Sequence, residues 1–350
     1  MGATRQSRVS ALFRFFIFIM IERAYQIPRN QIESQYISFP DRRGFLTPPR
    51  KCRDRNVPAI QKKGALLGSL NGIMLVLIFV LSHLLFNLPV SFAVEHKPRY
   101  ISLAPSTTEI LFALGLNEEI VGVSSYCNYP REAKSKAQVG DFSSPNIEKI
   151  LSLRPDYVFC TGLEQAPAVI ELKRQNLKVY VGDPKDVREL LESIREIGGI
   201  INKEKEAAGL TANMESQISE ITSRVKLIPG DKKIKVFLEI WHDPLITAGN
   251  GSFVDHLITL AGGINIAADT KRPYSIFSPE EVIKRNPDCI IMAYMNSKSA
   301  SKLAGQRFGW QGINAVKNNR VYDDIDSDLL LRPGPRVVQG LQQLYNRMYQ

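Results

Sequence analysis

Two stretches decide the fold: NIEKILSLRPDYVFC at residues 146–160 and SPEEVIKRNPDCIIM at residues 278–292. Each opens on a helix-capping residue, Asn146 or Ser278, followed by a glutamate, apolar residues at helical spacing, a Pro-Asp pair and a β-rich run. The offset between them holds at 132, pairing Glu148 with Glu280, Pro155 with Pro287 and Asp156 with Asp288. Downstream, LKVYVGD (177–183) has its counterpart in NRVYDDI (319–325). Upstream, RYISLAPSTTEILFALG (99–115) and KVFLEIWHDPLITAGNGSFVDHLITLAGG (235–263) share an outline of strand, polar loop, amphipathic helix and glycine stop. A chain written twice in alternating strands and helices predicts an α/β protein of two similar lobes with mainly parallel sheets, at residues 98–200 and 234–350. Binding loops then belong at the C-terminal ends of the strands.

Between the lobes, KEKEAAGLTANMESQISEITSRVKLIPG carries apolar residues at Leu210, Met214, Ile218, Ile221, Val225 and Ile228. Their spacing of three or four is helical, and Pro229-Gly230 ends the run. A single linking helix over residues 203–228 follows, a rod of roughly 38 Å for about 25 residues. One such helix restricts hinge opening more than two or three flexible crossings would.

The net charge of +10 is confined to the N-terminus: residues 1–63 hold 13 Lys/Arg against 4 Asp/Glu, leaving 32 against 31 for residues 64–350. The body is near neutral and offers no basic stripe for nucleic acid. Residues 64–93 contain no Asp, Glu, Lys or Arg and end in the small-x-small triplet Ser91-Phe92-Ala93, with Lys62 and Lys63 as a charged flank. They read as a secretory signal peptide cleaved after Ala93, with an uncleaved transmembrane anchor as the alternative. Either way residues 94–350 are exported. A signal behind sixty basic, aperiodic residues is out of place, so the expectation is that translation starts at or shortly before Met74 and that 1–63 is a disordered or mis-annotated extension. Cys127, Cys160 and Cys289 follow the signal, an odd number without a CxxC spacing, which argues against a disulfide framework and a zinc ribbon. No cysteine closes the apolar run, which argues against a lipid anchor.

The runs SLAPSTTEILFALG, VGVSSYCNYP, VGDFSSPNIEKILSLRPDYV and SPEEVIKRNPD, on an exported two-lobed chain with one linking helix, closely resemble the helical-backbone (class III) periplasmic substrate-binding proteins of ABC importers. Those proteins deliver cobalamin, ferric siderophores or haem. The likeness covers nearly all of residues 98–350, and the Tyr-x-x-Tyr-Pro loop with AGNGSFVDHLITLAGGINI is most similar to the cobalamin-binding branch. The resemblance implies a ligand cleft between the lobes, a monomer, no resident cofactor, a corrinoid as cargo and a permease dimer as partner. It places Pro105, Ser106, Thr107, Tyr126 and Phe142 on the first lobe's side of the cleft. On the second lobe's side it places Trp241 and His242 on the loop equivalent to Pro105–Thr107, Tyr274 at a position where relatives carry tryptophan, and Asp328 with Arg332 as a polar pair near the ligand. Glu148 and Glu280 match acidic residues that dock onto the two permease subunits. Aromatic walls with a few donors and acceptors suit a large flat ring edged with amides.

Each assignment has a plainer reading beside it. Tyr126 could pack on Pro130 as a turn residue, and Phe142 could plug a core edge. His242 could be a solvated histidine rather than a cleft wall or a group near cobalt. Trp310 reads as core, Asp156 and Asp288 as turn residues, and Cys127 as a small structural residue rather than a nucleophile. Competing functions are a ferric-siderophore or haem receptor, for which Arg332 and Arg336 would face an anionic chelate, and, further off, a cleft enzyme using Cys127 or a docking platform without a ligand. Only His96, His242 and His256 follow the signal, few for a receptor of bare zinc or manganese.

Overall fold

The computed structural model describes residues 96–294 and 304–350. The expected extension at 1–63, the apolar run at 64–93, the start near Met74 and the cleavage after Ala93 lie outside them. Among the described residues no helix is long and apolar enough to cross a membrane.

The first lobe runs β1 (Tyr100–Ser102), α1 (Pro105–Ala113), β2 (Ile120–Val123), β3 (Ala137–Gln138), α2 (Ile147–Ser152), β4 (Tyr157–Cys160), α3 (Ala166–Arg174), β5 (Val179–Val181) and α4 (Val187–Ile200). Its sheet has the order β3-β2-β1-β4-β5 and every pairing is parallel. The central strands are buried along almost their whole length, the pattern of a parallel sheet covered on both faces. Helix α5 (Glu204–Lys226) follows, 23 residues long and so about 35 Å. It packs on α4 at one side. Met214 and Ile221 are buried in it, and Leu210 and Ile218 are partly buried against the same core.

The second lobe comprises β6 (Lys235–His242), β7 (Leu245–Ala248), α6 (Phe253–Leu260), β8 (Ile264–Asn265), β9 (Tyr274–Ile276), α7 (Pro279–Arg285), β10 (Cys289–Met292), α8 (Asn314–Lys317), β11 (Val321–Tyr322), α9 (Asp328–Leu331) and α10 (Val337–Tyr349). Helix α10 packs against α5, where Arg224 donates to Gln342 at 2.8 Å and lies over the Tyr345 ring. The strand order is β11-β10-β6-β7-β9, with β8 beside the start of β6.

The duplication is geometric as well as textual. Strands β1-β4-β5 and β6-β10-β11 have the same order and are all parallel. Register fixes the equivalence: Tyr100 lies opposite Tyr157, and Val236 opposite Cys289. Asp156 accepts from the Arg99 backbone N–H at 2.8 Å and donates its own N–H to the Arg99 carbonyl at 2.8 Å. Asp288 repeats both bonds with Lys235, at 3.1 and 2.8 Å. Both aspartates therefore anchor the entry of a central strand, as turn residues would. Just before each Pro-Asp pair, Arg154 (φ 46°) and Asn286 (φ 47°) end the helix in the left-handed region.

The second sheet departs from the first in one place: β10-β11, β6-β10 and β6-β8 pair in parallel, but β7 is antiparallel to both β6 and β9. The segment read as a polar loop, from Asp243 to Gly251, contains the buried strand Leu-Ile-Thr-Ala, whose Thr247 hydroxyl donates to the Leu238 carbonyl at 2.7 Å. The Asp-Pro and Gly-Asn-Gly signals flanking it mark the ends of a hairpin. The glycine stops do hold: Gly115 (φ 87°) follows α1 and Gly262 (φ 86°) follows α6.

Candidate ligand site between the lobes

In the first lobe the loops after β1, β2, β3 and β4 leave the C-terminal edge of the parallel sheet. Gln165, fully buried, ties three of them together. Its amide nitrogen donates to the Leu103 carbonyl at 2.9 Å and the Phe142 carbonyl at 2.8 Å, and its oxygen accepts from the Thr161 N–H at 2.9 Å. A second buried network holds the remaining loop. The Ser102 and Thr107 hydroxyls lie 2.7 Å apart, and Thr108 donates to Ser102 at 2.8 Å. Thr108 also reaches the Cys127 sulfur at 3.0 Å, with the Ser124 hydroxyl 3.2 Å from the same atom.

These bonds settle the placement of several residues. Cys127 is buried at 4% exposure, and burial pushes its thiol up in pKa, which keeps it protonated. It pins the 124–130 loop onto α1, and a nucleophilic role has no support in this environment. Thr107 was expected to face a ligand; instead it is buried, with its hydroxyl also bonded to the Ala104 carbonyl at 3.0 Å, so it braces the loop from behind. Pro105 and Ser106, in the first turn of α1, and Tyr126 and Phe142, on the loops after β2 and β3, remain half-exposed. Burial pushes the Tyr126 phenol up, and the nearby charge of Asp141 adds to the shift.

In the second lobe Trp241 and His242 are the last residues of β6, paired with Ile246 and Leu245. They sit on a hairpin strand, not on the loop expected, although strand register does make them the counterparts of Pro105 and Ser106. The Trp241 indole is only 8% exposed and donates to the Asp243 carbonyl at 2.9 Å, whereas His242 is exposed. Tyr294 stands beside both, its ring 5.7 Å from His242 and 6.4 Å from Trp241. Beneath them Glu239, fully buried in β6, accepts two bonds from Arg307 at 2.6 and 2.5 Å and one from the Tyr294 hydroxyl. Arg307 in turn covers the ring of Trp310, which is core, as read. Burial and the Glu239 charge push the Tyr294 phenol up.

Tyr274 at the start of β9 has its phenol pushed up to about 12 by burial, with the charges of Asp183 and Glu164 adding to the shift. Two sets of side chains bring the lobes together. Arg336, from the second lobe, donates to both Glu109 oxygens at 2.8 and 2.6 Å and lies over the Tyr129 ring at 3.8 Å. The Glu109 bonds hold its guanidinium pKa above the usual value. An anionic chelate therefore does not find Arg336 free, contrary to the expectation that paired it with Arg332. Finally, Asp328 and Arg332 form a salt bridge of 2.9 Å, and Asn128 of the first lobe touches both members.

Glu148 and Glu280 stand exposed in the first turns of α2 and α7, which begin at the same edge of their sheets as the loops above. Asn146 caps α2 through the Lys149 N–H at 2.9 Å, and Ser278 caps α7 through the N–H groups of Glu280 and Glu281. The Ser278 hydroxyl bond holds the Glu280 carboxyl below its usual pKa.

Sequence reasoning missed Gln165, Asn128, Tyr294 and the Glu239–Arg307 pair. Only Tyr294 left a signal, since the 132-residue offset sets it opposite Gly162 at the end of β4.

Residues 101–328 match the family described as periplasmic binding protein. The chain belongs to that family. It is 36% identical over 260 residues to an uncharacterized ABC transporter substrate-binding lipoprotein of Bacillus subtilis, YvrC, covering 73% of this chain and 81% of the relative. It is 31% identical over 268 residues to the vitamin B12-binding protein of Salmonella paratyphi A, covering 76% and 95%. Among solved structures, the periplasmic heme-binding protein RhuT of Roseiflexus sp. RS-1 superposes with a TM-score of 0.65 at 26% identity, over 73% of this chain and 98% of that one. Two-lobed α/β architecture and the class of substrate-binding proteins of ABC importers are thus shared by sequence and by shape.

Proposed function

We propose that this protein captures a corrinoid, cobalamin or a close relative, between its lobes and hands it to the permease of an ABC importer. The observation that carries the ligand reading is the 31% identity to a vitamin B12-binding protein across 95% of that protein's length. The aromatic residues that the resemblance sets near a ligand come from both lobes, Tyr126 from the first and Trp241 and Tyr274 from the second, and aromatic walls suit a large amide-edged ring. The corrinoid is cargo, and the protein works as a monomeric carrier without enzymatic activity. Export by the apolar run at 64–93, cleaved after Ala93, delivers residues 94–350 to the periplasm.

Docking falls to Glu148 and Glu280, one exposed carboxylate per lobe at equivalent positions, set against basic residues of the two permease subunits. Such links orient the encounter and speed it more than they add affinity.

Haem is the second reading, favoured by the likeness to RhuT and by the His242–Tyr294 pairing at the end of β6. Isothermal titration of residues 94–350 with cobalamin, cobinamide, haem and a ferric siderophore decides between them. One-to-one saturation by cobalamin or cobinamide is expected. Saturation by haem or the siderophore alone overturns the corrinoid reading and leaves the carrier class standing.

A further inference from the structure

Glu239 lies fully buried within β6, two residues before Trp241, and both of its oxygens are committed. Oε1 accepts from the Tyr294 hydroxyl and from Arg307 Nη2 at 2.5 Å, while Oε2 accepts from Arg307 Nη1 at 2.6 Å. Arg307 also donates to the Tyr294 hydroxyl oxygen at 3.3 Å, so that hydroxyl both gives and receives inside the cluster. Tyr294 is left with its ring to offer beside Trp241 and His242. The Arg307 guanidinium, stacked 4.4 Å over Trp310, has its charge matched by a two-point contact with the carboxylate. Stability alone does not call for charge here, since apolar residues of similar volume often replace a buried ion pair at no loss. The pair does fix the sign of the wall. Without the carboxylate, an uncompensated cation one ring away from His242 would raise a positive potential that water screens poorly. Arg332 and Arg336 follow the same rule, held by Asp328 and Glu109.

We propose that Glu239 determines specificity for cargo charge: by neutralising Arg307 and holding Tyr294 behind Trp241 and His242, it keeps the second-lobe side of the site uncharged and disfavours ligands with anionic edges. The inference rests on the reading that the cargo lies against the end of β6. It deepens that reading by naming the class, a macrocycle whose substituents near this wall are neutral. Glu239 is a positioning residue, acting on the cargo through Arg307 and Tyr294 rather than by contact.

The test uses two pairs of macrocycles, each pair sharing one ring and differing in edge charge: cobinamide against cobyrinic acid, and haem dimethyl ester against haem. Affinities are measured for residues 94–350 with the native sequence, with Glu239→Gln, and with Glu239→Gln combined with Arg307→Met. The native chain should prefer the uncharged member of the pair that binds. Glu239→Gln leaves Arg307 unmatched and should shift the ratio towards the anionic member by about five- to tenfold. The double variant removes both charges and should restore the native ratio. A merely structural role would weaken both members of a pair alike, so an unchanged ratio in Glu239→Gln overturns the proposal. A native preference for the anionic member, or a double variant that keeps the shifted ratio, overturns it as well. Should Glu239→Gln alone fail to fold, the double variant strands no buried charge and must still show the native preference; its loss overturns the proposal. Tyr294→Phe leaves the ion pair intact and must leave the ratio within about twofold of native. A larger shift would assign the selectivity to the hydroxyl and overturn the role of Glu239. Which ring binds tests the corrinoid reading, whereas the charge ratio on that ring tests Glu239, so the two can fail separately.

Discussion

Replacing Gln165 with leucine should loosen the ligand face from beneath while leaving every residue on it in place. The side chain is fully buried and makes three hydrogen bonds, to Leu103, Phe142 and Thr161, each on a different loop. Leucine is close in size and keeps the apolar stem, so little of the loss comes from a cavity. What remains is two carbonyls and one N–H without their partner. Each bond is worth about 1 kcal/mol net, and more where the stranded group stays dry. Only the Leu103 bond is fully buried, and water can reach the other two groups in part, so the total should be about 2–3 kcal/mol. For a body of this size that corresponds to a fall of roughly 4–12 °C in Tm. Thermal unfolding followed by circular dichroism reads the stability, and titration with cobalamin reads the site. Both should deteriorate, with affinity falling because the loops bearing Phe142 and Pro105 lose their common anchor. A Tm within about 1 °C of the native protein would refute the reasoning, since it would mean the three loops hold one another without Gln165.

Tyr126→Ala should weaken corrinoid binding by about 1–3 kcal/mol if the ring is a buried wall, and unchanged titration would make it a turn residue. The three described cysteines are free and buried, with Cys160 and Cys289 pushed up to about 12 by burial. They should therefore stay protonated and resist iodoacetamide at pH 8 until the protein is unfolded, and rapid labelling of the native chain at Cys127 would restore the nucleophile reading. Glu148→Gln with Glu280→Gln should leave ligand affinity unchanged while uptake and permease association fall and lose their salt dependence. A loss of stability with intact association would reduce both glutamates to helix caps.

The duplicated segments were legible because each physical demand left its own mark: a cap, a helical stripe, a Pro-Asp pair at the strand entry and a buried apolar run. Those marks announced β4 and β10 with the helices before them, and the apolar spacing announced the helix between the lobes, while the shared order of β1-β4-β5 and β6-β10-β11 came from the structure. The β6–β7 hairpin was illegible because its strand is four residues long and framed by Asp-Pro and Gly-Asn-Gly, which look the same around a loop and around a hairpin. Within the site, Asp328 and Arg332 lie four residues apart and could be paired from the sequence. Asn128 lies 200 residues from Asp328, and no local pattern announces that contact. Thr107 shows the converse limit, since its position on the right loop said nothing about which way its hydroxyl turned.

A crystal structure of residues 94–350 with cobalamin tests the central claim most directly. The account predicts one corrin ring held between the first-lobe loops and the C-terminal end of β6, in contact with Tyr126, Trp241 and Tyr274. Cobalamin bound elsewhere on the surface, or bound with those aromatic residues out of contact, would contradict it.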